Sequence, residues 1–372
     1  MSCFPAERAA AEVDTSALTH NYRLLAQHAK KSANGAKAPR MIAVVKANAY
    51  GHGICLAVRA FLRAGCDFFA VATLGETKQV RKLAPYADIL ILGYTPPQHA
   101  IDLAYLDLTQ TVFSAEYAAA LSKSATVAGV FVKTHIKIDG GMCRLGFAPE
   151  DLGGILTAAT KSNLTPCGLY THFPVADTDL PATRAAFCRF LACKQALLAH
   201  GLSLFAHAAA SAALLRLPET VLDGARVGLA LYGIAPVATD LALKPALTLT
   251  APIIQIHGVP ADTPVGYGGC FVTRRASLIG TVPIGYGDGL FRRFGKAVGH
   301  VTVLHKSSSY AVPVAGNICM DQMMLDLTET DAKIGDRAVI FDDPCNVATA
   351  LDTIPYEILT AIGDRVARIK KG

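Results

Sequence analysis

The apolar run Ala43-Val44-Val45 ends on Lys46 and passes into a polar, glycine-bearing turn, Ala47-Asn48-Ala49-Tyr50-Gly51-His52-Gly53. A lysine is costly to bury, because its charge must be paired or its pKa must fall. At the mouth of a buried strand it is either a cation that snorkels to water or an amine nucleophile able to form a Schiff base. A second constellation, Lys137-Ile138-Asp139-Gly140-Gly141-Met142-Cys143-Arg144-Leu145-Gly146, reads as a strand followed by a tight glycine turn. Arg144 there is a surface cation or a planar fork for a carboxylate. His172 ends the run Tyr170-Thr171-His172-Phe173, and by itself is a structural histidine or an acid–base group. Ser211 sits in Ala208-Ala209-Ala210-Ser211-Ala212-Ala213, and Arg226 opens Arg226-Val227-Gly228-Leu229-Ala230-Leu231-Tyr232-Gly233. Tyr267, in Pro264-Val265-Gly266-Tyr267-Gly268, is a turn tyrosine or a base, and a base would need cations near it, since an unperturbed phenol titrates near ~10.

The elements that would position these groups alternate. Strand-like runs at Met41–Val45, Phe68–Thr73, Ile89–Leu92, Thr109–Phe113, Val130–Ile138, Cys167–His172, Leu202–Phe205 and Arg226–Tyr232 are mostly separated by helical patterns. The helical patterns include Ile54–Ala64, a helix from about Glu76, Ala115–Ser124, Glu150–Lys161 and Pro181–Ala199. Repeated βα units predict a parallel sheet, and seven or eight of them over roughly 240 residues fit a closed (β/α)8 barrel of TIM type. No GxGxxG follows the first strand of the series, which argues against a dinucleotide-binding open sheet. Active groups of such barrels lie at strand C-termini, where Lys46, Arg144, His172, Ser211 and Arg226 are expected. Beyond about Lys244 the helical patterns give way to strand-like runs at Leu247–Ile256, Ser277–Val282, Val301–His305, Tyr310–Val314 and Ala338–Phe341, with a short helix near Ile358–Ile362. The expected division is a barrel over 1–242 and a C-terminal mainly-β domain over 243–372, the latter recruiting a strand from about residues 1–14 (Ala11-Glu12-Val13).

Composition agrees. Of 372 residues, 52% are hydrophobic and 17% charged, which describes a folded chain with a large core. The net charge of +6 is mild and not gathered into a stripe, so nucleic acid is not an expected partner. Pro236, Asp240, Lys244 and Pro245 interrupt the apolar stretch from Val227 to Val259, and no run is long enough to span a bilayer. The N-terminal stretch lacks an apolar signal region, so a cytoplasmic protein is expected. The ten cysteines show no metal-ligand spacing and read as reduced core thiols, Cys55, Cys66, Cys167 and Cys188 among them; no metal is expected.

Taken together, these motifs resemble those of alanine racemases, in family order from about Ala11 to the C-terminus. The resemblance implies pyridoxal 5'-phosphate (PLP) held covalently by Lys46, and racemisation of alanine by two bases, Lys46 and Tyr267. It implies a homodimer in which the partner subunit supplies Tyr267 together with the Met320 and Asp321 segment (Asn317–Gln322), which binds the substrate carboxylate. Arg144 would contact cofactor and substrate, and Lys137, often carbamylated in that family, would orient Arg144. His172 would relay between an arginine and the catalytic tyrosine, and Arg226 would face the pyridine nitrogen. Tyr50, Ser211, Gly228, Leu229 and Tyr356 would hold the phosphate end, and Tyr286 would stand at the substrate entry. The implied biological role is supply of D-alanine for peptidoglycan. Gly140, Ala210 and Cys270 depart from the family's usual threonine, asparagine and threonine. Decarboxylases of basic amino acids share the architecture and are the alternative of the same fold, and a PLP-carrier barrel is an alternative without a β domain.

Overall fold

The structure, a computed structural model, describes residues 8–32 and 38–371. Residues 1–7, which begin the N-terminal stretch read above and include Cys3, lie outside the described residues. The chain falls into two compact units: residues 16–49 with 54–244, and the residues up to Thr15 with 50–53 and 245 onward.

Strand β1 (Ala10–Asp14) belongs to the second unit. The first unit is a closed barrel of β2 (Arg40–Val44), β3 (Phe68–Val71), β4 (Asp88–Ile91), β5 (Thr109–Val112), β6 (Val132–Lys137), β7 (Leu164–Tyr170), β8 (Phe205–His207) and β9 (Gly224–Val227). Each strand is parallel to its neighbours, and β9 closes on β2 with Ile42 opposite Arg226. The strands read as near-continuous apolar runs such as Phe68-Phe69-Ala70-Val71 because helices cover one face and packed side chains fill the other. Phe61, Phe69 and Phe190 are fully buried, each contributing about 1.5–3 kcal/mol through burial. Helix boundaries follow local chemistry. Thr73 and Glu76 form a capping box ahead of Leu74–Leu83, Ser114 caps Ala115–Ala128, which stops at left-handed Gly129, and Asp179 caps Leu180–Ala199.

The second unit holds β10 (Leu247–Pro252), β11 (Gln255–Val259), β12 (Pro264–Val265), β13 (Phe271–Val272), β14 (Ser277–Val282), β15 (His300–His305), β16 (Ser308–Pro313), β17 (Met323–Asp326), β18 (Arg337–Phe341) and β19 (Ala367–Lys371). Its six-stranded sheet runs β16-β15-β18-β10-β1-β19; β11-β14-β17 and β12-β13 form smaller sheets. The expected fold, a (β/α)8 barrel with a C-terminal mainly-β region, is the one observed.

Several local expectations are corrected. The run Arg226–Tyr232 is a strand only as far as Val227; Leu229–Tyr232 is a buried 3-10 turn, and an apolar run looks the same in either state. Strand β8 lies at Phe205–His207 rather than Leu202–Phe205. Leu247–Ile256 is two strands, broken at Ile253-Ile254. Pro344–Leu351 is a helix, capped by Asp343, in a region expected to lack one before Tyr356. Of the cysteines read as core thiols, Cys66 is buried, Cys167 is half-buried, and Cys55 and Cys188 are exposed; the described cysteines are free thiols. Among the described residues no helix is long and apolar enough to cross a membrane.

Candidate active site

Lys46 lies just beyond the C-terminal end of β2, half-buried. The residues after it adopt an unusual backbone. Ala47, Asn48, Ala49 and Tyr50 have φ of 51°, 52°, 55° and 51°, a left-handed turn of four residues with side chains. Each costs about 1 kcal/mol or more relative to a right-handed turn, so the surroundings must hold it. They do so through hydrogen bonds. The Ala47 N–H donates to Glu76 Oε1 at 2.7 Å, the Ala49 N–H to the Val45 carbonyl at 2.9 Å, and the Ile54 N–H to Asn48 Oδ1 at 2.9 Å. Burial and the Arg144 charge push the Lys46 amine below its usual range, while Glu76 acts in the opposite direction.

The other strand ends bring further chemistry to the same barrel. Lys137 ends β6, Tyr170 ends β7 opposite it, and His207 ends β8 opposite Tyr170. The Lys137 ammonium stands 5.8 Å from the Tyr170 ring centroid and the Arg226 guanidinium 4.8 Å from it. Tyr170 stacks on His207 at 4.9 Å and 8°, and its hydroxyl meets Thr111 Oγ1 at 2.9 Å. Burial, Arg144 and Arg226 pull Lys137 down to about 8. His172, just past β7, is pushed down to about 3 by burial and by Arg226, Arg144, Lys137 and Lys46. Arg144, Arg226 and Lys46 therefore act together on Lys137 and His172, an electrostatic environment suited to an anionic ligand.

Arg226 is buried and held on every side. Its Nη1 donates to His207 Nδ1 at 2.7 Å and to the His207 carbonyl at 2.8 Å; its Nη2 donates to the carbonyls of Thr171 and Ala208. A guanidinium only donates, so His207 Nδ1 is the acceptor and its proton sits on Nε2. That Nε2–H donates in turn to His135 Nδ1 at 2.9 Å. Burial and the Arg226 charge hold both imidazoles neutral, His135 down to about 3 and His207 well below its usual range. Gly168 on β7 makes room for this chain, since a Cβ there would lie 2.4 Å from the His135 ring.

Arg144 is not at a strand end as expected. It is exposed in a loop that leaves β6 at Lys137 and returns at Phe147, whose N–H donates to the Lys137 carbonyl at 2.9 Å. Asp139 ties that loop by accepting from the N–H groups of Met142 and Cys143. Gly140 packs so closely that a Cβ would meet the His172 carbonyl oxygen at 2.3 Å. Ser211 opens the short helix Ser211–Arg216, and its hydroxyl accepts from the Gly228 N–H at 3.2 Å and the Ala230 N–H at 3.5 Å. Leu229 lies between these two donors, in the 3-10 turn.

The remaining expected site residues belong to the second unit. Tyr50 and Tyr356 have ring centroids 6.0 Å apart. Tyr267 is 72% exposed on a 3-10 turn, and Asn317 Nδ2 donates to its carbonyl at 2.8 Å. The Tyr286 N–H donates to the Cys319 carbonyl and the Gly287 N–H to the Met320 carbonyl, so the segments of Tyr286 and Met320 run together. Asp321 pairs with Arg365 at 2.8 Å, and Arg365 also binds the buried Asp288.

Sequence reasoning missed His207, His135 and Glu76. The rule that singled out Lys46, a polar group closing an apolar strand, applies equally to His207, but β8 was expected two residues too early. His135 and Glu76 gave no signal, because their importance comes from partners distant in sequence.

Comparison with known proteins follows the same division. Residues 13–236 match the model of the alanine racemase N-terminal domain and residues 246–370 that of the C-terminal domain. The chain is 40% identical to the alanine racemase of Carboxydothermus hydrogenoformans, covering 96% of this chain and 98% of that protein. It is 38% identical to that of Clostridium perfringens over 94% of this chain and 93% of the other. Among solved structures it is similar to alanine racemase from Bacillus anthracis with bound L-Ala-P, with a TM-score of 0.90, 31% identity and coverage of 99% and 96%. It is also similar to that from Bartonella henselae with covalently bound pyridoxal phosphate, with a TM-score of 0.85, 29% identity and coverage of 99% and 100%.

Proposed function

Because the chain belongs to the alanine racemase family, and so interconverts the enantiomers of alanine, we propose that it does so with PLP at the mouth of the barrel, in a homodimer that shares its active sites. The observation that carries this reading is the mutual electrostatic action of Lys46, Lys137, Arg144 and Arg226, with the Ser211 hydroxyl bonded to the Gly228–Ala230 turn that follows Arg226 in the chain. The barrel residues fit the group. Ser211 and the backbone N–H groups of Gly228 and Leu229 would hold the phosphate, and Lys46 supplies an amine with a depressed pKa for covalent attachment. When bound, PLP acidifies the Cα–H of an attached amino acid by delocalising the resulting charge.

The chain's own residues then divide the work. Arg144 binds the alanine carboxylate as a planar fork, and Lys137, which when carbamylated becomes an anion, would then orient it. Lys46 Nζ takes or returns the Cα proton on one face, and the Tyr267 phenol of the partner subunit does so on the other. The exposure of Tyr267, Met320 and Tyr286 supports a face that completes a neighbour's site. His172 couples Tyr267 to the cationic cluster. Arg226, unable to accept a proton, keeps the cofactor ring a weak electron sink, which favours reprotonation over other outcomes. The backbone N–H of Met320 of the partner subunit, in the segment that carries Asp321, would bind the substrate carboxylate, and Tyr286 would line the entry. The barrel unit binds the cofactor and the β unit supplies the second base. The enzyme would act in the cytoplasm and supply D-alanine for peptidoglycan.

The test is incubation of the purified protein with L-alanine, with and without PLP, followed by a chiral assay. PLP-dependent D-alanine is expected. Lys46→Ala should abolish both turnover and borohydride-stable PLP labelling; retention of either refutes the lysine assignment. Carbon dioxide without D-alanine would favour the decarboxylase reading. An active monomer would refute the shared site.

A further inference from the structure

Glu76 is one of the groups that hold the backbone around Lys46, and the one that reaches it from the next strand's helix. One carboxylate oxygen accepts from the Ala47 N–H at 2.7 Å. The other accepts from the N–H groups of Ala72 at 2.7 Å and Thr73 at 3.1 Å, at the end of β3. Glu76 is also the third residue of a helix whose cap, Thr73 Oγ1, accepts from its own N–H. A helix needs only one of these bonds for its capping box; the bond to Ala47 reaches 29 positions back along the chain, to the residue directly after Lys46. Ala47 is also the first residue of the left-handed turn, a conformation that alanine rarely adopts unaided.

From this geometry we infer that Glu76 is a positioning residue for Lys46: its carboxylate clamps the left-handed turn that aims the amine and is the anion that offsets the cations around it. The Arg144 and Lys137 charges act against the charge on the Lys46 amine, and Glu76 acts on it in the opposite direction. The functional meaning rests on Lys46 being the cofactor lysine; the clamp itself does not.

Two readouts separate the inference from a merely structural role. They are the pH dependence of Lys46 labelling by acetic anhydride in cofactor-stripped, full-length protein, read by mass spectrometry, and deuterium uptake in the peptide spanning Ala47. Glu76→Gln keeps an oxygen for the Ala47 N–H but loses the charge. Its Lys46 should be labelled faster at neutral pH, on the order of threefold to tenfold for loss of one nearby charge. Glu76→Ala should show the same rise and, in addition, rapid exchange at Ala47. Thr73→Ala breaks the helix cap and leaves the Ala47 bond, so it should lower the unfolding midpoint and change neither readout. The inference is overturned if both Glu76 variants leave Lys46 labelling unchanged, or move it no more than Thr73→Ala does. Failure of the PLP reading would show separately, as borohydride-stable labelling that survives Lys46→Ala.

Discussion

Gly168→Ala tests whether the His135–His207–Arg226 chain is built as tightly as it looks. The added Cβ would lie 2.4 Å from Cδ2 and Nε2 of His135 and 2.5 Å from Cε1. Ordinary contacts start near ~3.5 Å, so the ring must retreat by about 1 Å. The His135 Nδ1 to His207 Nε2 distance is 2.9 Å, and a retreat of that size directed away from His207 lengthens it to about 3.9 Å, past hydrogen-bond range. The cost has two parts: about 1–3 kcal/mol for overpacking and about 1–3 kcal/mol for the buried His207 N–H left without an acceptor. A total near ~4 kcal/mol corresponds to a change of several-hundredfold to a thousandfold in the folding equilibrium. Urea unfolding measures it, and 15N spectra of the histidines report whether His207 keeps its proton on Nε2. Gly153→Ala is the control, because a Cβ there meets nothing within 4 Å and the helix Leu152–Ala159 gains from alanine. A loss below about 1 kcal/mol for Gly168→Ala, with unaltered histidine spectra, would refute the reasoning.

Three further outcomes follow from the charges and hydrogen bonds of the barrel. His135, His172 and His207 are all held neutral in the fold, whereas free histidines gain protons below about 6.5. The unfolded chain therefore binds more protons in that window, and urea midpoints should fall steadily as the pH drops from about 6.5 toward 3. Lys137, held near about 8, is a neutral amine in the fold at pH values where the unfolded lysine is still charged, so the difference in stability between wild type and Lys137→Met should move in favour of wild type between about pH 8 and 10.4; an unchanged difference contradicts the assignment. Ser211→Ala removes the oxygen that accepts from Gly228 and Ala230, and should weaken PLP binding about tenfold in a fluorescence titration while costing about 1 kcal/mol of stability.

The parts legible from sequence were those where a pattern carries its own cause. Lys46 and Arg226 stood out because each interrupts an apolar strand with a charge, and β14 was expected with its observed limits, Ser277–Val282, because turn residues flank it. Strand β8 is only three residues long, too short for a period to register, so His207 fell outside it. The stretch Leu229–Tyr232 is as apolar as a strand, and only the fold turns it into a 3-10 segment. Nothing in Ala47-Asn48-Ala49-Tyr50 announces a left-handed turn, since the bonds that impose it come from Glu76 and Ile54. Arg144 reads as a strand-end residue because the glycines after Asp139 conceal how long the loop that returns at Phe147 is. The Asp343-Pro344 start of a helix was present in the sequence, but the surrounding strand-like runs masked it.

Strand β1 lies between β10, with which it is antiparallel, and β19, with which it is parallel. On the ribosome this order matters. Chain synthesis delivers β1 before every other strand of its sheet and β19 after all of them, so one edge of β1 has no native neighbour until β19 has been made. The barrel strands, by contrast, pair with neighbours made shortly before them, except for the closing pair of β2 and β9. The nascent chain therefore carries an open strand edge from β1 until β19 emerges, the kind of surface that chaperones cover and that pairs with the wrong chain when crowded. A stop codon just before Ala367 would leave that edge open for good.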